Sequence, residues 1–172
     1  MRKLGGAYLC NKLYRREVVF SDASFDFGVR LDVGEDILIN VGAFARARSV
    51  SLMSEVLYSY RQTPSSITGS IDNAKAFVNL FFSYCLCSAH YANFGDDVLD
   101  FVDSFFRVQF NFRCYQITDV DRLRPHRERV SAALRLLSEA RPEAVLYLMS
   151  VLKNKKRPAS SLGEFVLRKI FW

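Results

Sequence analysis

Apolar positions along this chain recur mostly every three or four residues, the spacing of one helical face, and in two places every second residue, the spacing of a strand. The clearest alternation is at 25 to 33, where Phe25, Phe27, Val29, Leu31 and Val33 share one face. After Gly34 the period changes: Ile37, Val41, Phe44 and Ala45 fall on one side of a helix, with Glu35 and Asp36 in its first turn and Arg46 and Arg48 near its end. Those charges complement the helix dipole. Met53, Val56, Leu57 and Tyr60 predict a second helix over about Leu52 to Arg61, which Thr63-Pro64-Ser65-Ser66 then breaks.

Asp72 opens a long helix from about Asn73 to Tyr91, apolar on most of its circumference and therefore central. Gly95-Asp96-Asp97 is a further break and an acidic helix start. Helical spacing continues to about Phe106, after which Val108, Phe110, Phe112 and Cys114 alternate. The segment 107–117 is therefore expected to be extended and to pair with 25–33, because a lone strand leaves its backbone groups without partners. In the last third, Pro125 and Pro142 each begin a helix, where the missing N–H costs least. The first buries Val130, Ala133, Leu134 and Leu137, and the second Val145, Leu148, Met149 and Leu152. Ser161 and Glu164 form a capping box for a last helix, and Phe171 and Trp172 read as an anchor. The pattern as a whole predicts a mainly α fold, stacked helical hairpins or a bundle with one small two-stranded β element (25–33 and 107–117).

Composition narrows the class. Half of the 172 residues are apolar and Gly, Pro and Cys are few, which excludes disordered, collagen-like and disulfide-framework chains and predicts a single domain over 1–172. The net charge of +6 conceals a separation along the chain. Residues 1–20, a basic arm or transit-like segment, carry five bases and one acid. The aromatic-rich core at 21–121 carries seven bases and thirteen acids, and 122–172 carries twelve bases and four acids. Two basic ends around an acidic middle suit a polyanion at the ends and protein in the middle, or else are ordinary surface charge.

The uncharged run from Ala76 to Gly95 holds Asn79, Ser83, Ser88, His90 and Asn93, and reads as a buried helix rather than a membrane span. Cys10, Cys85, Cys87 and Cys114 make no secreted framework, so reduced thiols are expected. Cys85, Cys87 and His90 have the residue types of a zinc site, but two residues on a helix turn through about 200°, so the two thiols face apart. Cys87 and His90 lack the third group that a nucleophilic pair needs. Asp96 and Asp97 suit a helix start, and Asp100 and Asp103 a solvated face. With no HExxH, GxSxG or glycine-rich phosphate loop, no catalytic residue, metal or cofactor is expected, and the chain does not read as an enzyme.

Aligning Asn40 with Asn79 gives a 39-residue period, each copy a helix followed by a second one, as in helical-repeat arrays. The phrase from Asn40 to Arg46, with its echo from Asn79 to Leu86, resembles the octotricopeptide and FAST-kinase-like repeats of organellar RNA-binding proteins, over about residues 35–110. That resemblance implies RNA association in a mitochondrion or plastid. The basic residues are the matching candidates, since arginine forks grip phosphate and stack on bases. They are Arg15 and Arg16, then Arg124, Arg127 and Arg135 along the Pro125 helix, then Lys153, Lys155, Lys156 and Arg157. The last group also reads as helix C-terminal charge or as a nuclear-import signal. The resulting expectation is a non-enzymatic structural subunit of a large ribonucleoprotein, an organellar (mitochondrial) ribosome or RNA-processing complex, contacting RNA, ribosomal RNA first, and other subunits but no membrane. The alternative function is an adaptor holding a partner helix in an aromatic groove, and the alternative location is nuclear or cytoplasmic.

Overall fold

The computed structural model describes residues 9–20, 31, 34–59, 61, 63, 72–114 and 120–152. They form six α-helices and one 3-10 turn, so the fold is mainly α. The chain divides into two compact units, 1–70 and 71–172.

The first unit contains α1 (Arg16–Phe20) and α2 (Glu35–Arg46), which pack on each other. Gly34 precedes α2 with φ of 102°, a left-handed conformation that glycine adopts without a Cβ clash. Its carbonyl accepts the Ile37 and Leu38 N–H groups at 3.1 and 3.2 Å. Glu35 and Asp36 occupy the first turn and Arg46 the last, as the charge pattern predicts. The buried side is Ile37, Leu38, Val41 and Ala43, whereas Phe44 and Ala45 are half-buried.

Two expectations meet the structure here. Most of the alternating segment 25–33 lies outside the described residues, and Leu31 has no regular structure. The helix expected over Leu52 to Arg61 is not formed: residues 51–59 are irregular, and Leu52, Val56 and Leu57 are 79%, 89% and 70% exposed. A helix this short is marginal unless packing holds it, and here Leu52, Met53, Val56 and Leu57 are left largely exposed. The first copy of the 39-residue period therefore lacks its second helix.

The second unit contains α3 (Asn73–His90), α4 (Asp96–Cys114), a 3-10 turn (Val120–His126), α5 (Arg127–Ala140) and α6 (Pro142–Leu152). Asp72 caps α3, its carboxylate accepting the Lys75 N–H at 3.0 Å. The helix α3 is central and packs against α4, α5 and the 3-10 turn. It buries Phe77, Phe81 and Tyr84, and Tyr91 just past its end is also enclosed; Val102 and Phe106 of α4, Leu123 of the turn, Leu134 and Leu137 of α5 and Leu148 of α6 complete the core. Gly95, with φ of 104°, makes the reversal into α4.

The extended segment expected from 107 is instead helix as far as Cys114, with 115–117 outside the described residues. Each residue added to a growing helix gains a hydrogen bond, while a strand needs a partner, and the described residues include no strand. Pro125 lies within the 3-10 turn, so α5 starts two residues later than expected, whereas α6 starts at Pro142 as predicted. Val130, Ala133, Leu134 and Leu137 form the buried side of α5. The capping box at Ser161 and the terminal aromatics lie outside the described residues. None of the described helices is long and apolar enough to cross a membrane.

Candidate functional site

In the first unit, polar side chains gather where the chain before α1 meets α2. Tyr14 donates its hydroxyl to Asn40 Oδ1 at 2.6 Å, and Asn40 Nδ2 donates to the Asp36 carbonyl at 2.8 Å. Asn40 is buried on α2, which fixes the height of Tyr14 against the helix start. Burial, then the negative fields of Asp36 and Cys10, push the Tyr14 hydroxyl up to about 12. Burial lowers the Lys12 ammonium from its usual range, against the opposing pull of Cys10 and Asp36. Asp36 thus acts electrostatically on both Lys12 and Tyr14. A half-buried carboxylate, an ammonium and a phenol can together hold a polar ligand and accept or give a proton. The residue types were visible in sequence, but Tyr14 and Asn40 are 26 positions apart, and no periodicity links them.

Among the described residues of the second unit, the most enclosed charge is Arg141, just before α6. Its guanidinium grips Asp103 through two bonds of 3.2 and 3.1 Å and donates to Glu143 at 3.0 Å. Tyr84 donates to the same Asp103 carboxylate at 3.0 Å, and Tyr147 to the Asp103 carbonyl at 2.9 Å. Burial works against the Arg141 charge, yet the bonds to Asp103 and Glu143 prevail and raise its pKa. Burial chiefly raises Tyr84 as well. Asp103, expected on a solvated face, is instead the hub of this network, because α6 brings Arg141 back over α4. Every group is satisfied within the protein, so the network is structural.

The predicted basic residues are distributed as follows. Arg15 lies 3.9 Å from Glu17, and Arg16 is the exposed first residue of α1. Arg124 pairs with Asp121 at 2.9 Å, and neighbouring Arg122 pairs with Asp72. Arg129 lies over the Phe82 ring, 4.9 Å from its centroid. Arg127 and Arg135 stand exposed on α5, about 12 Å apart along its axis. Lys153, Lys155, Lys156 and Arg157 lie outside the described residues.

Cys85 and Cys87 are both buried in α3, and burial raises both thiols well above their ordinary range. Among the described residues no three His, Cys, Asp or Glu side chains converge as metal ligands would.

No family model matches this chain, and no solved structure does. Over 61 residues it is 39% identical to EpsJ of Bacillus subtilis (strain 168), described as an uncharacterized glycosyltransferase. The match takes in 36% of this chain and 17% of the length of that protein.

Proposed function

We propose that this chain works as part of a glycosyltransferase. The observation that carries the reading is the 39% identity over 61 residues with the Bacillus subtilis protein. In a one-step glycosyl transfer, an acceptor hydroxyl oxygen bonds to the anomeric carbon of an activated sugar. The bond to the leaving group breaks, the leaving group takes its electron pair, and the acceptor proton goes to a base. Asp36 is the carboxylate of choice: half-buried, fixed on the first turn of α2, and close to Lys12 and Tyr14. Lys12 supplies positive charge for an anionic leaving group. The test is release of nucleoside diphosphate from a panel of nucleotide sugars, with and without acceptor alcohols. Asp36→Asn should slow release by about 100-fold or more with the helical circular dichroism unchanged. Absence of release, or release indifferent to Asp36→Asn, overturns the reading.

A second reading, the RNA-associated structural subunit, has its own support in the exposed Arg127 and Arg135, which have no acidic partner among the described residues. Two exposed guanidinium groups on one helix suit non-adjacent phosphates of an RNA strand. Arg127→Glu with Arg135→Glu should then weaken RNA association of the folded protein, measured by filter binding. Unchanged binding removes this reading.

A further inference from the structure

The chain that leads into α1 is held against α2 by a relay of two side chains, and the held segment carries Lys12. Asn11 has a φ of 68°, a left-handed conformation for which asparagine is better suited than most side chains. Beyond it residues 12–15 have no helical structure, and burial alternates: Lys12 and Tyr14 are half-buried, while Asn11, Leu13 and Arg15 are exposed, Leu13 by 95%. In extended backbone alternate residues share a side, so Lys12 and Tyr14 lie on the α2 side about 6–7 Å apart along the chain. Tyr14 supplies a bond to the helix, through its hydroxyl to Asn40 Oδ1 at 2.6 Å. Asn40 occupies a buried position among Ile37, Leu38 and Val41, where an amide is costly unless its polar atoms are used. They are used on both sides: Oδ1 accepts from Tyr14, and Nδ2 donates to the Asp36 carbonyl at 2.8 Å. One buried amide thus ties the turn that carries Asp36 to the segment that carries Lys12.

We propose that Tyr14 and Asn40 are positioning residues, which set the segment 12–14 against the first turn of α2 and so place the Lys12 ammonium for the diphosphate leaving group of a nucleotide sugar. This role rests on the glycosyltransferase reading above. Neither side chain acts on the reacting atoms; both act through Lys12. Lysine is a point charge on a flexible stem, so its backbone must be fixed nearby if the charge is to stand where the leaving group develops its own. A small misplacement of such a group costs rate even when the group itself is intact. Lys12 Nζ also donates to Asn11 Oδ1 at 3.3 Å, a contact within the same turn, and the Tyr14 bond carries that turn to α2.

The test is a double-mutant cycle on nucleoside diphosphate release by the full chain. Tyr14→Phe should lower kcat/KM for the nucleotide sugar about fivefold, the worth of one ordinary hydrogen bond. In a Lys12→Met background the same change should have almost no effect, because the group being placed is gone. A merely structural role would lower both backgrounds alike. Asn40→Leu, which fills the buried position with an apolar group of similar size, should repeat the pattern, with circular dichroism verifying that each variant is folded. A second readout needs no turnover: followed by nuclear magnetic resonance, the Lys12 ammonium, which burial lowers, should titrate closer to its ordinary value in Tyr14→Phe. No loss, equal losses in the two backgrounds, or a Lys12 titration indifferent to Tyr14→Phe overturns the positioning role, while the effect of Asp36→Asn keeps the glycosyltransferase reading standing. Absence of release from the wild type overturns that reading and the positioning role together.

Discussion

Arg141 shows how much one side chain can hold. Its guanidinium joins α4 to the start of α6 through Asp103, and Tyr84 brings α3 to the same carboxylate. Removing one partner from a buried pair leaves the other charge enclosed without compensation. Arg141→Met should therefore cost about 3–5 kcal/mol of stability in urea denaturation. Arg141→Met combined with Asp103→Leu should recover part of that loss, because the enclosed carboxylate is gone although the buried Tyr84 hydroxyl loses its acceptor. None of this was legible from spacing. Asp103 follows Asp96, Asp97 and Asp100 at helical intervals and so resembles the end of a solvated acidic stripe. Its partner lies 38 residues away, and only the packing of α6 on α4 reveals it. The Tyr14–Asn40 bond was hidden for the same reason, whereas the buried Cys85 and Cys87 could be read from their apolar surroundings.

At the scale of elements, local signals were read well where they coincide with packing. Asp72, Gly95 and Pro142 stand where the sequence placed them, since caps and breaks act through the backbone beside them. Asp72 also has a pH signature. The Lys75 N–H, and then the Arg122 charge, hold its carboxyl below the usual carboxylate range. The folded state therefore binds that proton less readily than the unfolded state does. Its stabilisation is complete above the unfolded value of about 4 and fades as pH falls through the lower folded value. Asp72→Ala should cost about 1 kcal/mol near neutrality, and thermal melts of the two proteins should converge in acid. The two misread elements share a cause. Residues 52–59 carry a helical apolar period whose Leu52, Met53, Val56 and Leu57 stay largely exposed, and residues 107–114 carry an alternation that an established helix overrides. Periodicity states which face could be buried, while burial itself depends on neighbours far along the chain.

For the whole molecule, the basic–acidic–basic order of the sequence does not become a simple map of free charge. Arg122, Arg124 and Arg141, all in the basic third, are engaged by acids of the preceding segment: Asp72 with Arg122, Asp121 with Arg124 and Asp103 with Arg141. Counting charge along the chain therefore overstates what is left for a polyanion, and Arg127 and Arg135 are the better measure. If those two neutralise phosphates of single-stranded RNA, reversing both should reduce the slope of log affinity against log salt by about 1.4. The buried thiols carry a different consequence. Cys85 and Cys87 sit on the central helix, and burial suppresses the thiolate that alkylating reagents attack. Their labelling must wait until α3 is unsealed. The native chain thus contains its own clock, in which the rate of alkylation at these two sulfurs reports how often the core opens.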